Sequence, residues 1–207
     1  MAPAARRPAG PDRPGMPIIR AMQKQAGFSI IELMIVIAIA SVLAALSLPA
    51  LQDWNRNAHR TAAVTTFLSS LHLARSEAVK RNTRVAICPS DDAAAADAKC
   101  SGEKDFAGGW IVFVDVDNDL DHGADSDEEV MSAVTAINTA FTVISSNGET
   151  GLYFRPNGRM VTSSGKDLAD FNVCDDRGAD QGRVISITNS GRPQSGVNAA
   201  DGTAPQC

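Results

Sequence analysis

The run FSIIELMIVIAIASVLAALSLPAL, Phe28 to Leu51, constrains this chain more than any other feature. As an α-helix it would be about 36 Å long, and roughly 20 apolar residues suffice to cross a bilayer core. A cleaved secretory signal carries an apolar run of only about 7–15 residues, followed by a small-residue cut site. This run is too long for that, and no clean Ala-x-Ala site with a polar start follows it. Arg6, Arg7, Arg13, Arg20 and Lys24 precede it against one acid, Asp12. That basic flank argues against a buried core helix. It predicts a single-pass helix with a cytoplasmic N-terminus and an exported remainder.

The charge pattern agrees. The net charge of −5 is spread very unevenly along the 207 residues. Residues 1–27 carry five bases and one acid, and residues 28–81 carry five bases and three acids. Residues 82–150 carry three bases and fourteen acids, and residues 151–207 six of each. A basic start, an apolar span and an acidic body describe a chain with a direction across a membrane. The 44% hydrophobic content excludes a disordered acidic tail. The mean hydropathy of −0.08 excludes a polytopic membrane protein, and the pI near 5.1 a generally basic nucleic-acid binder.

Glu32 does not belong in a plain anchor. A carboxylate at bilayer depth costs on the order of 3 kcal/mol unless paired, so it reads as functional. Its neighbourhood supplies a role. Lys24-Gln25-Ala26-Gly27 followed by Phe28-Ser29-Ile30-Ile31-Glu32-Leu33 resembles the class III signal of type IV pilins and type II secretion pseudopilins. The resemblance implies that a prepilin peptidase cuts between Gly27 and Phe28 and N-methylates Phe28. It also implies that Glu32, fifth in the mature chain, pairs with a neighbouring subunit's N-terminal amine during assembly. A buried carboxylate is tolerated when so paired. A start at Met22 would leave the compact leader Met-Gln-Lys-Gln-Ala-Gly, with residues 1–21 dispensable.

Beyond Leu51 the apolar residues Trp54, Ala58, Val64, Phe67, Leu68, Leu71, Ala74, Ala78 and Val79 fall mostly three or four apart. Residues 52–82 therefore read as an amphipathic helix laid on a globular domain, ended by Asn82. Pro49 predicts a kink or melted turn. Leu73-Ala-Arg-Ser-Glu-Ala-Val-Lys-Arg-Asn82, Val85-Ala-Ile-Cys-Pro89 and Gly109-Trp-Ile-Val-Phe-Val-Asp115 narrow the likeness. They resemble the GspH/FimT family of minor pilins and pseudopilins, over about Ala26 to Gln194. The family implies an α+β, type IV pilin-like fold: a long N-terminal helix packed on a small antiparallel β-rich domain, residues 83–207. It implies other pilins, the peptidase and the inner membrane as partners.

The residues support the β-rich part directly. Short β-branched or aromatic segments lie at Thr83–Cys88, Trp110–Val116, Val130–Val134, Phe141–Ser145, Leu152–Phe154, Met160–Thr162, Phe171–Cys174 and Val184–Thr188, separated by Gly/Asn/Asp clusters. Phe154-Arg-Pro-Asn-Gly-Arg-Met160 reads as a hairpin turn.

Cys88, Cys100, Cys174 and Cys207 all follow the apolar span. An even number on the oxidising side favours disulfides. Three connectivities are possible. The local one, Cys88–Cys100 with Cys174–Cys207, is expected, the second bond stapling a Gly/Asn/Ala-rich tail. No CxxC spacing supports zinc.

Asp115 to Glu129 holds eight acids in fifteen residues. Asp117, Asp119, Asp121, Asp125 and Glu128 fall at places 1, 3, 5, 9 and 12 of an EF-hand-like calcium loop. Glycine stands at place 7 instead of 6, and no flanking helix is evident. A solvated strand-to-strand loop is the preferred reading, with calcium as the alternative.

FimT-type proteins that bind DNA in natural transformation carry a C-terminal Gly-Arg-x-Arg motif. Here Gly191-Arg192-Pro193-Gln194 keeps the first arginine only. Arg177, Arg183 and Arg192 could still form a phosphate-contacting strip, opposed by Asp175, Asp176 and Asp180. A surface turn at Gly191 competes with that reading. No Gly-x-Ser-x-Gly, HExxH, P-loop or Rossmann fingerprint occurs, so no enzyme and no cofactor are expected. The leading function is a structural filament subunit, with DNA uptake as the alternative.

Overall fold

The computed structural model describes residues 27–122, 128–136 and 141–207. They fall into two compact units, divided between Ser47 and Leu48.

The described part of the first unit is helical. Helix α1 is assigned over Ile30–Arg81, its first turn marked by the Leu33 amide donating to the Ser29 carbonyl at 3.1 Å. From Gly27 to Ser47 every residue is exposed. An 18-residue window of this helix has a mean hydropathy of 2.6 with none of it buried. That length and composition are enough to cross a membrane. The helix is assigned continuously through Pro49, so the melted turn expected there is not formed. Proline removes a single backbone donor from a helix.

The described residues of the second unit, Leu48–Cys207, carry nine strands in two antiparallel sheets. The strands are β1 Val85–Pro89, β2 Gly109–Val114, β3 Val130–Thr135, β4 Thr142–Ser145, β5 Leu152–Phe154, β6 Met160–Thr162, β7 Leu168–Cys174, β8 Arg183–Thr188 and β9 Pro193–Gly196. Their order is β3-β2-β1-β5-β6 in the first sheet and β4-β7-β8-β9 in the second. The C-terminal part of α1 and both sheets share one core. Ala63, Val64, Phe67, Leu71, Ala74 and Ala78 of the helix meet Val85, Ile87, Trp110, Phe154, Phe171, Val173 and Ile185. Phe67 is the hub, in edge-to-face contact with Phe106, Trp110 and Phe171 at centroid distances of 5.0–5.2 Å.

The first sheet is covered on both faces, which explains the wholly buried β1 and β2. Their other face, Ala86, Cys88, Ile111 and Phe113, packs under Ala93 and Ala98 of the 90–100 loop.

Several expectations about the helix change. Trp54, at 70% exposure, Ala58 and Val79 face out of the core. Among the helix side chains whose burial is described, the buried ones begin at Arg60 and belong to the part of the helix that packs on the strands. Its end is a Schellman-type cap. Asn82 takes a left-handed φ of 53°, and the Thr83 amide bonds back to the Ala78 carbonyl at 3.3 Å. Strand β9 has no β-propensity and was not anticipated. It exists because β8 offers it a free edge, pairing Ile187 with Pro193 and Ile185 with Ser195. Proline is admitted there because an edge strand has one side unpaired.

Candidate functional site

Three groups of residues carry the chemistry predicted above. The first is the head of α1. Gly27 and Phe28 precede the first helical turn, and Phe28 is 81% exposed. Glu32 lies in that first turn among exposed Ile30, Ile31 and Leu33. Among the described residues no cation pairs with it. Its partner must therefore come from elsewhere if the surrounding medium is apolar. Leader residues 1–26 lie outside the described residues.

The second group is cationic. Arg60 is buried, donates to the Gln181 carbonyl and to Asn57 Oδ1 at 3.0 Å, and has its pKa lowered by burial and by Arg183 and Arg177 nearby. Arg177 donates to Asp175 Oδ2 at 2.6 Å and to Asn57 Oδ1 at 3.0 Å, and lies 3.8 Å from Asp53. Arg183 donates to the Gly182 carbonyl at 2.8 Å. Arg60 and Arg177 fasten the 175–183 loop to α1, while the bond of Arg183 is local to the loop. The hydrogen bonds to Asp175 hold the Arg177 pKa above its usual range. Of the proposed phosphate strip, only Arg192 is exposed without such a bond among the described residues. The burial of Arg60 has no sign in the sequence, because a lone arginine in an amphipathic pattern reads as solvent-facing.

The third group is acidic and sits where β2 leaves the sheet. One carboxylate oxygen from each of Asp115, Asp117, Asp119 and Glu128 lies within 4.8 Å of the other three. Asp115, 1% exposed, makes an ion pair with Arg84 Nε at 2.6 Å through Oδ2. Arg84 is laid on the Tyr153 ring, 3.4 Å from its centroid. The Arg84–Asp115 contact is close but poorly aligned, so it is an ion pair without a directed hydrogen bond. The amides of Asn118 and Leu120 lie near the Asp115 carboxylate and favour its charge, again without hydrogen-bond alignment. Glu128, 8% exposed, accepts the Val116 amide at Oε1 over 2.9 Å. Asp115 Oδ1 and Glu128 Oε2 are buried with no hydrogen-bond partner among the described residues. Burial pushes both carboxyls above their usual range, opposed at Asp115 by Arg84 and at Glu128 by the Val116 amide.

This set differs from the five-residue calcium loop read from spacing. Asp117, Asp119 and Glu128 remain. Asp121 drops out: its amide caps Asp119 Oδ1 at 2.7 Å and its side chain is exposed. Asp125 lies outside the described residues. Asp115 enters, because the alternate spacing Asp115-x-Asp117-x-Asp119 begins one step earlier, on the last buried position beyond β2. That spacing was visible; its burial was not.

The four cysteines form two bonds, Cys88–Cys100 with Cα atoms 5.5 Å apart and Cys174–Cys207 at 5.7 Å. The first closes the loop over β1. The second draws the tail onto β7, where the Gln206 amide also donates to Asn172 Oδ1 at 3.2 Å.

An exposed apolar helix headed by Gly-Phe, followed by a helix-and-two-sheet domain, is a type IV pilin fold. Residues 22–48 match the prokaryotic N-terminal methylation motif. Residues 63–191, more than half of the chain, match the family described as type II transport protein GspH. The chain belongs to this GspH/FimT-like family of minor pilins and pseudopilins. Its fold is similar to two crystal structures of the type IV minor pilin FimU from Pseudomonas aeruginosa PAO1. One, in space group P65, gives a TM-score of 0.50 at 23% identity, covering 70% of this chain and 97% of the other. The second, in P21, gives 0.53 at 24% identity, covering 73% and 96%. Prepilin peptidase-dependent protein D of Escherichia coli K12 is 47% identical over 47 residues. That match spans 23% of this chain and 32% of the relative, about a third of its length.

Proposed function

We propose that this chain is a minor subunit of a type IV pilus or type II secretion pseudopilus. It is inserted in the bacterial inner membrane with a cytoplasmic leader and a periplasmic domain. A prepilin peptidase cuts after Gly27 and methylates Phe28, and the mature subunit is then drawn into a filament of similar subunits. The carrying observation is Glu32, a carboxylate in the first turn of helix α1, whose residues up to Ser47 are all exposed, with no cation beside it among the described residues. A neighbour's free Phe28 amine has the charge it requires.

Glu32→Ala tests the role. The variant is expected to be cleaved normally but to be depleted from sheared filaments. Wild-type incorporation would remove the assembly role. Gly27→Ala should leave the precursor uncut, seen as a retained leader mass. A DNA-uptake role has less support, since Arg177 is held by Asp175 and Asn57 and Arg183 is half-buried against the Gly182 carbonyl. It would have to rest on Arg192. Unchanged DNA mobility in a low-salt gel shift with the full chain would end it.

A further inference from the structure

We propose that Asp115, Asp117, Asp119 and Glu128 bind one divalent cation, calcium, at the exit of β2. Calcium–oxygen distances of about 2.3–2.6 Å place oxygens on opposite sides of the ion about 4.6–5.2 Å apart. Four carboxylate oxygens all within 4.8 Å of one another fit around one such ion.

Two of the four are held with one oxygen already turned from other partners. Arg84 engages Asp115 through Oδ2, leaving Oδ1 buried and unmatched. The Val116 amide engages Glu128 through Oε1, leaving Oε2 buried and unmatched. A buried oxygen without a donor is costly, and the cost grows with charge. A single cation held in the four-carboxylate cluster lies beside both groups and offsets that cost. Asp117 and Asp119 close the exposed side, where water completes the shell. Each has an oxygen capped by a backbone amide, Asp119 on Asp117 at 3.3 Å and Asp121 on Asp119 at 2.7 Å.

The donor set selects the ion. All four ligands are hard carboxylate oxygens, which suit calcium rather than zinc or copper. His122 is not available to it, with Nδ1 at 2.7 Å from the Ala98 carbonyl and Nε2 at 3.3 Å from the Glu128 carbonyl. Magnesium prefers one or two carboxylates, several waters and a near-ideal octahedron. Four carboxylates against the one guanidinium of Arg84 leave three negative charges, and a divalent ion reduces them to one. The ion would tie Glu128, two residues before β3, to the end of β2, and so close the loop joining two paired strands.

The test uses the full chain in detergent micelles, stripped of metal and titrated with calcium alone. Titration calorimetry should show one site, with a Kd on the order of 10⁻⁴–10⁻³ M, as in extracellular calcium modules. Calcium at about ten times that Kd should raise the thermal midpoint by several degrees, reversed by chelator. Equimolar magnesium should do markedly less; an equal response would overturn the calcium assignment. Asp117→Asn with Asp119→Asn alters only exposed side chains. It should weaken calcium binding at least tenfold and leave the chelated midpoint unchanged or higher. Asp115→Asn should also lose binding. No heat and no midpoint shift at 10 mM calcium, or undiminished binding in the double variant, would overturn the proposal.

Discussion

Trp110 donates its indole N–H to Ser70 Oγ at 2.9 Å, across 40 residues of chain, inside the core shared by α1 and β2. Ser70→Ala leaves that donor buried and unpaired. The expected loss is about 1–3 kcal/mol, read from denaturant unfolding of the detergent-solubilised chain. Trp110→Phe in the Ser70→Ala background should cost less than the two single changes together. Strict additivity would show that the hydrogen bond contributes nothing.

The Cys174–Cys207 bond closes a separation of 33 residues. Loop-closure entropy for that length is about 3–4 kcal/mol. Replacing both cysteines by serine should lower stability by that order and expose the segment after β9 to limited proteolysis. The tail lies tight, since a Cβ at Gly182 would stand 2.8 Å from Pro205 Cβ and 3.1 Å from Cys207 Sγ. Equal protease resistance in the double variant would mean that the Asn172 and Ser186 hydrogen bonds hold the tail alone.

Glu149 is 1% exposed, yet its carboxyl is pulled down to about 2. Burial alone would raise it, but Ser164, through side chain and amide, and Ser163 outweigh that penalty. A folded-state pKa below the unfolded one gives stability that is full above about pH 4.5 and lost as pH falls through about 2. The shift corresponds to about 3 kcal/mol. Glu149→Gln should flatten the stability profile between pH 5 and 2 relative to wild type. Parallel profiles would contradict the assignment.

Gly191 is a packing position. Its φ is +69°, and a Cβ there would collide with the Gly158 carbonyl oxygen. Arg75 secures the same junction, donating to the Gly158 carbonyl at 3.2 Å and the Ser190 carbonyl at 3.0 Å. Gly191→Ala should therefore destabilise by more than about 2 kcal/mol, while exposed Arg192→Ala should stay within about 0.5 kcal/mol. Thermal melts of the two variants check this. A mild Gly191→Ala would mean that the β8–β9 turn and the Gly158 turn can part without cost.

The parts legible in the sequence are those in which each residue acts where it stands. The exposed apolar run from Phe28 is a statement about local composition. So are the β-branched segments that became β1 to β8. The outward turn of Trp54, the burial of Arg60 and the pairing of Pro193 with Ile187 depend on which distant strand arrives opposite them. Asp115 and Glu128 are 13 positions apart in the chain. Only the antiparallel return of β3 alongside β2 brings their carboxylates together. Local patterns report propensity and periodicity; contacts between distant residues are set by sheet register and by the packing of both sheets on Phe67.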